Sequence, residues 1–153
     1  MNPDRETIEQ MITKIIQEKL GMTESDSDPE KRACAGNVRK VGLPWVKLGQ
    51  ADRLETGKDG DQVFTHDLFS LSESPRLGCG LMEMERTTFD WTLNYDEIDY
   101  VIEGTLTIRN GDGQVTAEPG EVILIPRGSK IQFSVPEKAR FLYVTYPADW
   151  ENS

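Results

Sequence analysis

The stretch from Asp90 to Ile108, "DWTLNYDEIDYVIEGTLTI", carries five carboxylates in an otherwise apolar, strand-like run. Two of them, Glu97 and Asp99, stand two residues apart, so in an extended strand both side chains leave the same face. Brought together inside a cavity, such a pair has two available roles. It can hold a hard cation such as Mg²⁺, which prefers carboxylates and water and accompanies nucleotide phosphates. Alternatively it can form a satisfied polar cluster with Tyr95, Tyr143 or Lys130 and do no chemistry. The same alternation sets Ile98, Tyr100 and Ile102 on the face opposite Tyr95, Glu97, Asp99 and Val101. Periodicity alone favours the isoleucines in a core and the carboxylates in water. The segment "ETGKDG" has a Gly-Lys pair without the preceding glycine spacing of a phosphate-binding loop, and it reads as a hairpin turn. His66, the only histidine, reads as a plain strand residue, usable as an acid or base only inside a cavity. Trp91, Tyr95, Phe133, Tyr143 and Tyr146 read as core aromatics or as the walls of a ligand cavity.

The elements that must position these residues follow from length and pattern. A chain of 153 residues, 37% hydrophobic, suffices for one domain with a real core plus an extension. Its formal charge of -10 argues against nucleic acid and anionic lipid as partners. No apolar run approaches the ~20 residues of a membrane span, and the first residues lack the order of a signal peptide, so a cytoplasmic location is expected. Cys34 and Cys79 sit in unrelated contexts and read as free thiols. Asn2 and Pro3 are a helix start, Ile8, Met11, Ile12, Ile15, Ile16 and Leu20 form one stripe, and Gly21 is a stop, which predicts an amphipathic helix over 1–21. Residues 22–37 are polar, without periodicity, and read as a flexible linker. From residue 38 to 153 the pattern is of short strands: Val38 to Leu48, Gln62 to Leu71, Cys79 to Arg86, Glu97 to Ile108, Gln114 to Ala117, Glu121 to Ile125, Lys130 to Val135 and Arg140 to Tyr146. Turn signals separate them, among them "NGDG" at Asn110 and "VPEK" at Val135, which predicts an all-β barrel or sandwich.

Glu97, six residues, then Gly104 matches the second half of one cupin motif, and "GEVILIPRG", with Gly120, Pro126 and Gly128, matches the start of the other. The chain therefore resembles a cupin-type jelly-roll β-barrel. In that pattern a metal is held by two histidines ahead of the glutamate and one after the second motif. Here the corresponding positions hold Trp91 and Leu93, or Asp90 and Thr92, and then Ile131, so no transition metal site of the usual histidine type is expected. "WTLNYDEID", "GSKIQF", "RFLYVTYPADW" and the helix ahead of the barrel together resemble the ethanolamine-utilisation protein Q (EutQ) family. The resemblance covers most of the chain. It implies work with the bacterial microcompartment that encloses ethanolamine breakdown, and an acetate kinase activity using Mg²⁺ and ATP or ADP. The alternative is a non-enzymatic assembly or small-molecule-binding component of the same system.

The cupin resemblance reverses the reading of the strand, because the motif glutamate points into the barrel. Glu97 and Asp99 then become the catalytic candidates, and a second subunit is the economical cover for the isoleucine face, which predicts a homodimer. If the kinase implication holds, phosphoryl transfer needs cations near the barrel mouth. Arg127, Lys130 and Arg140 are the candidates, with Tyr95 and Tyr143 beside them as substrate-binding residues. The helix over 1–21 packs on its own barrel or dimer, or docks to a microcompartment shell or cargo protein.

Overall fold

The computed structural model describes residues 5–20 and 29–153, and the chain divides into two compact units between Lys47 and Leu48. In the first, helix α1 (Arg5–Leu20) exposes Ile8, Met11, Ile12 and Ile15 of the expected stripe. Asn2, Pro3 and Gly21, and residues 22–28 of the expected linker, lie outside the described residues. The rest of that linker is not linker. Strand β1 (Ala33–Ala35) pairs with β2 (Val38–Lys40) around the two-residue Gly36–Asn37 turn, a hairpin that its polar surroundings hide. The strand expected to continue to Leu48 ends at Lys40. Pro44, which cannot donate to a ladder, starts instead a short 3-10 turn over Leu43–Trp45, closed by Trp45 N–H donating to the Gly42 carbonyl at 3.0 Å.

The second unit is a jelly roll of seven antiparallel strands: β3 (Gln62–Asp67), β4 (Gly78–Thr92), β5 (Asp96–Gly104), β6 (Leu106–Asn110), β7 (Gly113–Ala117), β8 (Val122–Ile125) and β9 (Lys130–Tyr146). The order β3-β4-β9-β5-β8 forms one layer, while β6 pairs with β7 and with the first half of β9 to form the other. Strands β4 and β9 are long enough to serve both layers. They turn the corner at a bulge, where the register jumps from Glu85 opposite Lys138 to Thr87 opposite Val135 and Arg86 takes a positive φ of 42°.

That corner corrects two expectations. The strand expected to end at Arg86 runs on to Thr92, and the "VPEK" segment, expected as a turn between two strands, lies inside the single strand β9. Pro136 is tolerated there because it falls where the ladder with β4 is interrupted and no N–H is required. The strand expected over Glu97 to Ile108 divides at Gly104, and β3 ends at Asp67 rather than Leu71.

Phe89, Phe133 and Phe141 stack through the interior, with centroids 5.3 and 6.3 Å apart, among buried Met84, Val101 and Leu106. Truncating one of these rings to alanine costs about 3–5 kcal/mol in a typical core. From Tyr95 into β5, burial alternates: Tyr95, Glu97, Asp99 and Val101 are buried, while Ile98 and Tyr100 are exposed. The core therefore receives the carboxylates, and water or a partner receives the isoleucine.

Candidate functional site

Strand register aligns a row of polar groups, buried at Glu97, Asp99 and Tyr143 and exposed at Asp67 on the edge strand. Reading across the layer, Asp67 on β3 is opposite Gly80 on β4, which is opposite Tyr143 on β9, which is opposite Asp99 on β5, which is opposite Ile123 on β8. One step along, Thr145 faces Glu97. Gly80 is required in that row, because a Cβ there would overlap the ring of Tyr143. The space left by its missing side chain lets Tyr143 lie over β4 and donate its hydroxyl to Asp67 Oδ1 at 2.7 Å. Tyr95 accepts a hydrogen bond from Trp91 Nε1 at 2.8 Å.

Glu97 is 4% exposed and Asp99 0%. As two carboxylates they would be acceptors only, and neither Asp99 oxygen nor Glu97 Oε1 meets a donor. The two carboxyl groups are within hydrogen-bonding reach of each other, so a shared proton gives the pair a bond that two anions cannot make. Burial in the low-dielectric interior pushes Glu97 up to about 7, with the hydrogen bond to Asp99 acting in the other direction. Burial, then the charge of Glu97 and the bond to it, hold Asp99 well above the ordinary carboxylate range. The protons belong to the pair rather than to either residue. Tyr95 and Tyr143 are pushed upward as well, first by burial and then by nearby carboxylates, and both remain neutral phenols.

The void beside Glu97, which Asp99 does not line, has no room for hydrated Mg²⁺: it measures about 10 Å³, room for about one water, whereas Mg²⁺ demands six oxygens and keeps several waters. The motif positions that would carry imidazoles are Trp91 and Leu93 on the inward side of the chain and Ile131 on β9. Leu93 and Ile131 are buried and Trp91 is half-buried, whereas Asp90 and Thr92 face outward. Among the described residues no group of three or more His, Cys, Asp or Glu is arranged around an ion.

Two larger cavities flank this interior. One, of about 610 Å³, opens at the barrel mouth, where Leu54, Trp91, Tyr95 and Trp150 form its wall, and these four also line the small void in front of Glu97. The other is a trough of about 770 Å³ between the ends of β4 and β9 and the β6–β7 hairpin, lined by Arg109, Lys130, Asp90, Asp112, Gln114 and Gln132.

The structure thus brings together Tyr95, Glu97, Asp99 and Tyr143 and disperses the expected cations. Lys130 lies in the trough. Arg127 is exposed, and its main-chain N–H donates to Asp96 Oδ1 at 2.8 Å. Arg140, one residue before inward-facing Phe141, has the opposite strand parity and, largely buried, pairs with Glu83 across the β4 ladder. His66 is also more than a plain strand residue. Its Nδ1 is 2.9 Å from Asp52 Oδ1, and it lines the mouth cavity. Burial raises the Asp52 carboxyl, but the Gly49 N–H and the His66 ring outweigh it and hold the group below its ordinary value.

Sequence reasoning missed Asp67, Arg109 and Trp150. Asp67 shares the inward parity of Val63 on β3, a usable signal. Arg109 beside a glycine-rich turn and Trp150 beyond the last strand gave none, since tertiary contact alone defines their roles.

Comparison with known proteins adds the following. The family described as ethanolamine utilisation protein EutQ matches residues 3–152. The chain is 56% identical over 149 residues to a protein of Clostridioides difficile (strain 630) named acetate kinase EutQ, covering 97% of this chain and 95% of that one. It is 34% identical to a protein of the same name from Salmonella typhimurium (strain LT2), of which it spans only 62%. Among solved structures, the EutQ protein of Clostridium difficile superimposes with a TM-score of 0.78 at 61% identity, over 80% of this chain and 90% of that one. A cupin superfamily protein of Desulfitobacterium hafniense, at 17% identity and a TM-score of 0.50 over 56% of this chain and 77% of that one, shares the fold.

Proposed function

The chain belongs to the EutQ family of ethanolamine utilisation proteins, and from that premise we propose that it is an acetate kinase-type phosphotransferase associated with a bacterial microcompartment. It would move a phosphoryl group from acetyl phosphate to ADP, leaving acetate and ATP. The observation that carries this reading is the 56% identity over nearly the whole length of a relative named acetate kinase EutQ. Phosphoryl transfer asks a protein for cations where charge develops and for in-line placement of the two oxygens. Arg109 and Lys130 in the trough supply the first, beside the open Gly111 and Gly113 turn. In this reading they hold the phosphates, and Mg²⁺ arrives with the nucleotide. Arg140, on the outer face, takes no part.

Glu97 and Asp99 can reach acetate only if the wall of Trp91, Tyr95 and Trp150 opens. Purified chain given acetyl phosphate and Mg-ADP is expected to form ATP, and replacing Arg109 and Lys130 together by Gln is expected to lower kcat/KM by about 10²-fold or more. Glu97→Gln separates two roles for the pair. Abolished turnover places it at the reacting atoms, and retained turnover makes it a support of the barrel. A wild-type chain that forms no ATP sinks the kinase reading. The second reading, a non-enzymatic assembly or small-molecule-binding component, is favoured by the sealed interior around Glu97.

The same reading includes a homodimer. Ile98 opposite Leu124 and Tyr100 opposite Val122 form an exposed apolar patch on the outer sheet, continued by Tyr146, and patches of this kind are usually interfaces. Leu124, 65% exposed, can be changed without touching the core. Leu124→Lys is expected to convert a dimer to a monomer in sedimentation velocity, and a wild-type chain that sediments as a monomer refutes the dimer. The exposed stripe on α1 supports a contact with a microcompartment shell or cargo protein through residues 1–21.

A further inference from the structure

The mouth cavity has the wrong charge for a phosphate and the right walls for a different ligand. Four carboxyl groups line it, those of Asp52, Glu55, Asp67 and Glu151, against one arginine, Arg53, and His66. An anion entering it would meet net repulsion. Three aromatic rings stand at its inner wall. The rings of Trp91 and Trp150 have centroids 6.3 Å apart at 59°, and Tyr95 lies 6.1 Å from Trp150 at 58°. Trp91 is fixed by its own N–H, which is donated to Tyr95, so the ring faces are what it offers to a ligand. Immediately behind this wall is Glu97 Oε1, buried and without a donor.

Carboxylates around aromatic faces select a weakly hydrated organic cation. The ring quadrupole attracts it and the surrounding carboxylates neutralise it. A hard metal ion is a poorer match, since aromatic faces offer it no oxygen and the carboxylates do not converge as a ligand set. We infer that the mouth cavity binds a small organic ammonium compound, its charge held against Trp91 and Trp150 within a ring of carboxylates. At about 610 Å³, the space suits a molecule of a few to a dozen heavy atoms.

The test uses the full chain without acetyl phosphate or nucleotide, so a silent kinase assay does not bear on it. Three probes of similar size are titrated while tryptophan fluorescence and heat are recorded: 2-aminoethanol, its neutral counterpart ethylene glycol, and acetate, with tetramethylammonium as a cation that cannot donate hydrogen bonds. Saturable binding of 2-aminoethanol and tetramethylammonium, at least about tenfold tighter than of ethylene glycol or acetate, is the expected result. Trp91→Leu should weaken both by about tenfold. Should that variant fail to fold, the exposed pair of changes Glu55→Gln and Glu151→Gln decides instead, with weaker binding and a reduced salt dependence expected. Equal affinity for ethylene glycol, preference for acetate, no saturable binding of either cation, or wild-type affinity in the variant that folds would each overturn the inference.

Discussion

Gly104→Ala is expected to cost more than about 3 kcal/mol of folding stability, enough to leave a typical domain largely unfolded at 37 °C. Gly104 ends β5 with φ at +75°, a conformation that costs an L-residue about 1–2 kcal/mol by itself. The larger part is steric. A Cβ at this position would overlap the carbonyl of Lys138 and crowd the Cα of Ala139. These are main-chain atoms of β9, held by the pairing of Gly104 with Ala139, and no rotamer change moves them. Gly57 is the control. It also has a positive φ, 86°, but open space around it, so Gly57→Ala should cost only about 1 kcal/mol. Urea unfolding of both variants checks the difference. Equal losses would mean that β5 and β9 do not approach at Gly104 as described.

The second large effect is a pH dependence with an unusual sign. Glu97 rises from an ordinary 4.5 to about 7 in the folded chain, and Asp99 moves in the same direction. The folded protein therefore binds protons that the unfolded chain has already released. Stability from Glu97 is fully present below about pH 4.5 and is lost as pH rises through about 7, and Asp99 acts with the same sign. At 1.36 kcal/mol per unit, Glu97 alone changes stability by on the order of 3 kcal/mol across that window. Asp52 has the opposite sign, but its lowered value confines its effect to the acid side of the ordinary carboxylate range. Denaturant unfolding between about pH 5 and 8 should show wild-type stability falling, and the double variant Glu97→Gln, Asp99→Asn should remove most of the slope. A wild-type profile that is flat or rises over this window contradicts a shared proton.

The residues that carried the fold in the sequence are those whose local chemistry allows one reading. A helix over Arg5–Leu20, the glycine turn at Asn110–Gly113 and the alternation along Tyr95 to Val101 each appear in the structure. Alternation left the direction of Glu97 ambiguous, because Ile98 and Tyr100 are the better core residues on hydropathy. The resemblance to a barrel with an inward glutamate resolved it, and burial of Glu97 with exposure of Ile98 agrees. Pro136 misled for a physical reason: proline marks turns and bulges alike, and only the register against β4 distinguishes them. The cations misled for another. Whether a lysine or arginine near a strand end faces a cavity depends on strand parity and on a corner that sequence does not reveal. Arg140 therefore fell on the outer face, while Arg109, beside the hairpin turn that the sequence did signal, reached the trough.

The central physical claim is that the interior of this barrel holds two carboxyl groups that keep a proton at neutral pH. Carbon-13 NMR of the Glu97 and Asp99 carboxyl carbons, assigned through Glu97→Gln and Asp99→Asn and followed from about pH 3 to 9, measures this directly. The account predicts that the first proton of the pair leaves near pH 7, that the second is still more firmly held, and that Mg²⁺ shifts neither signal. Two carboxyl carbons titrating together in the ordinary range near pH 4, or a pair that responds to Mg²⁺, would contradict it.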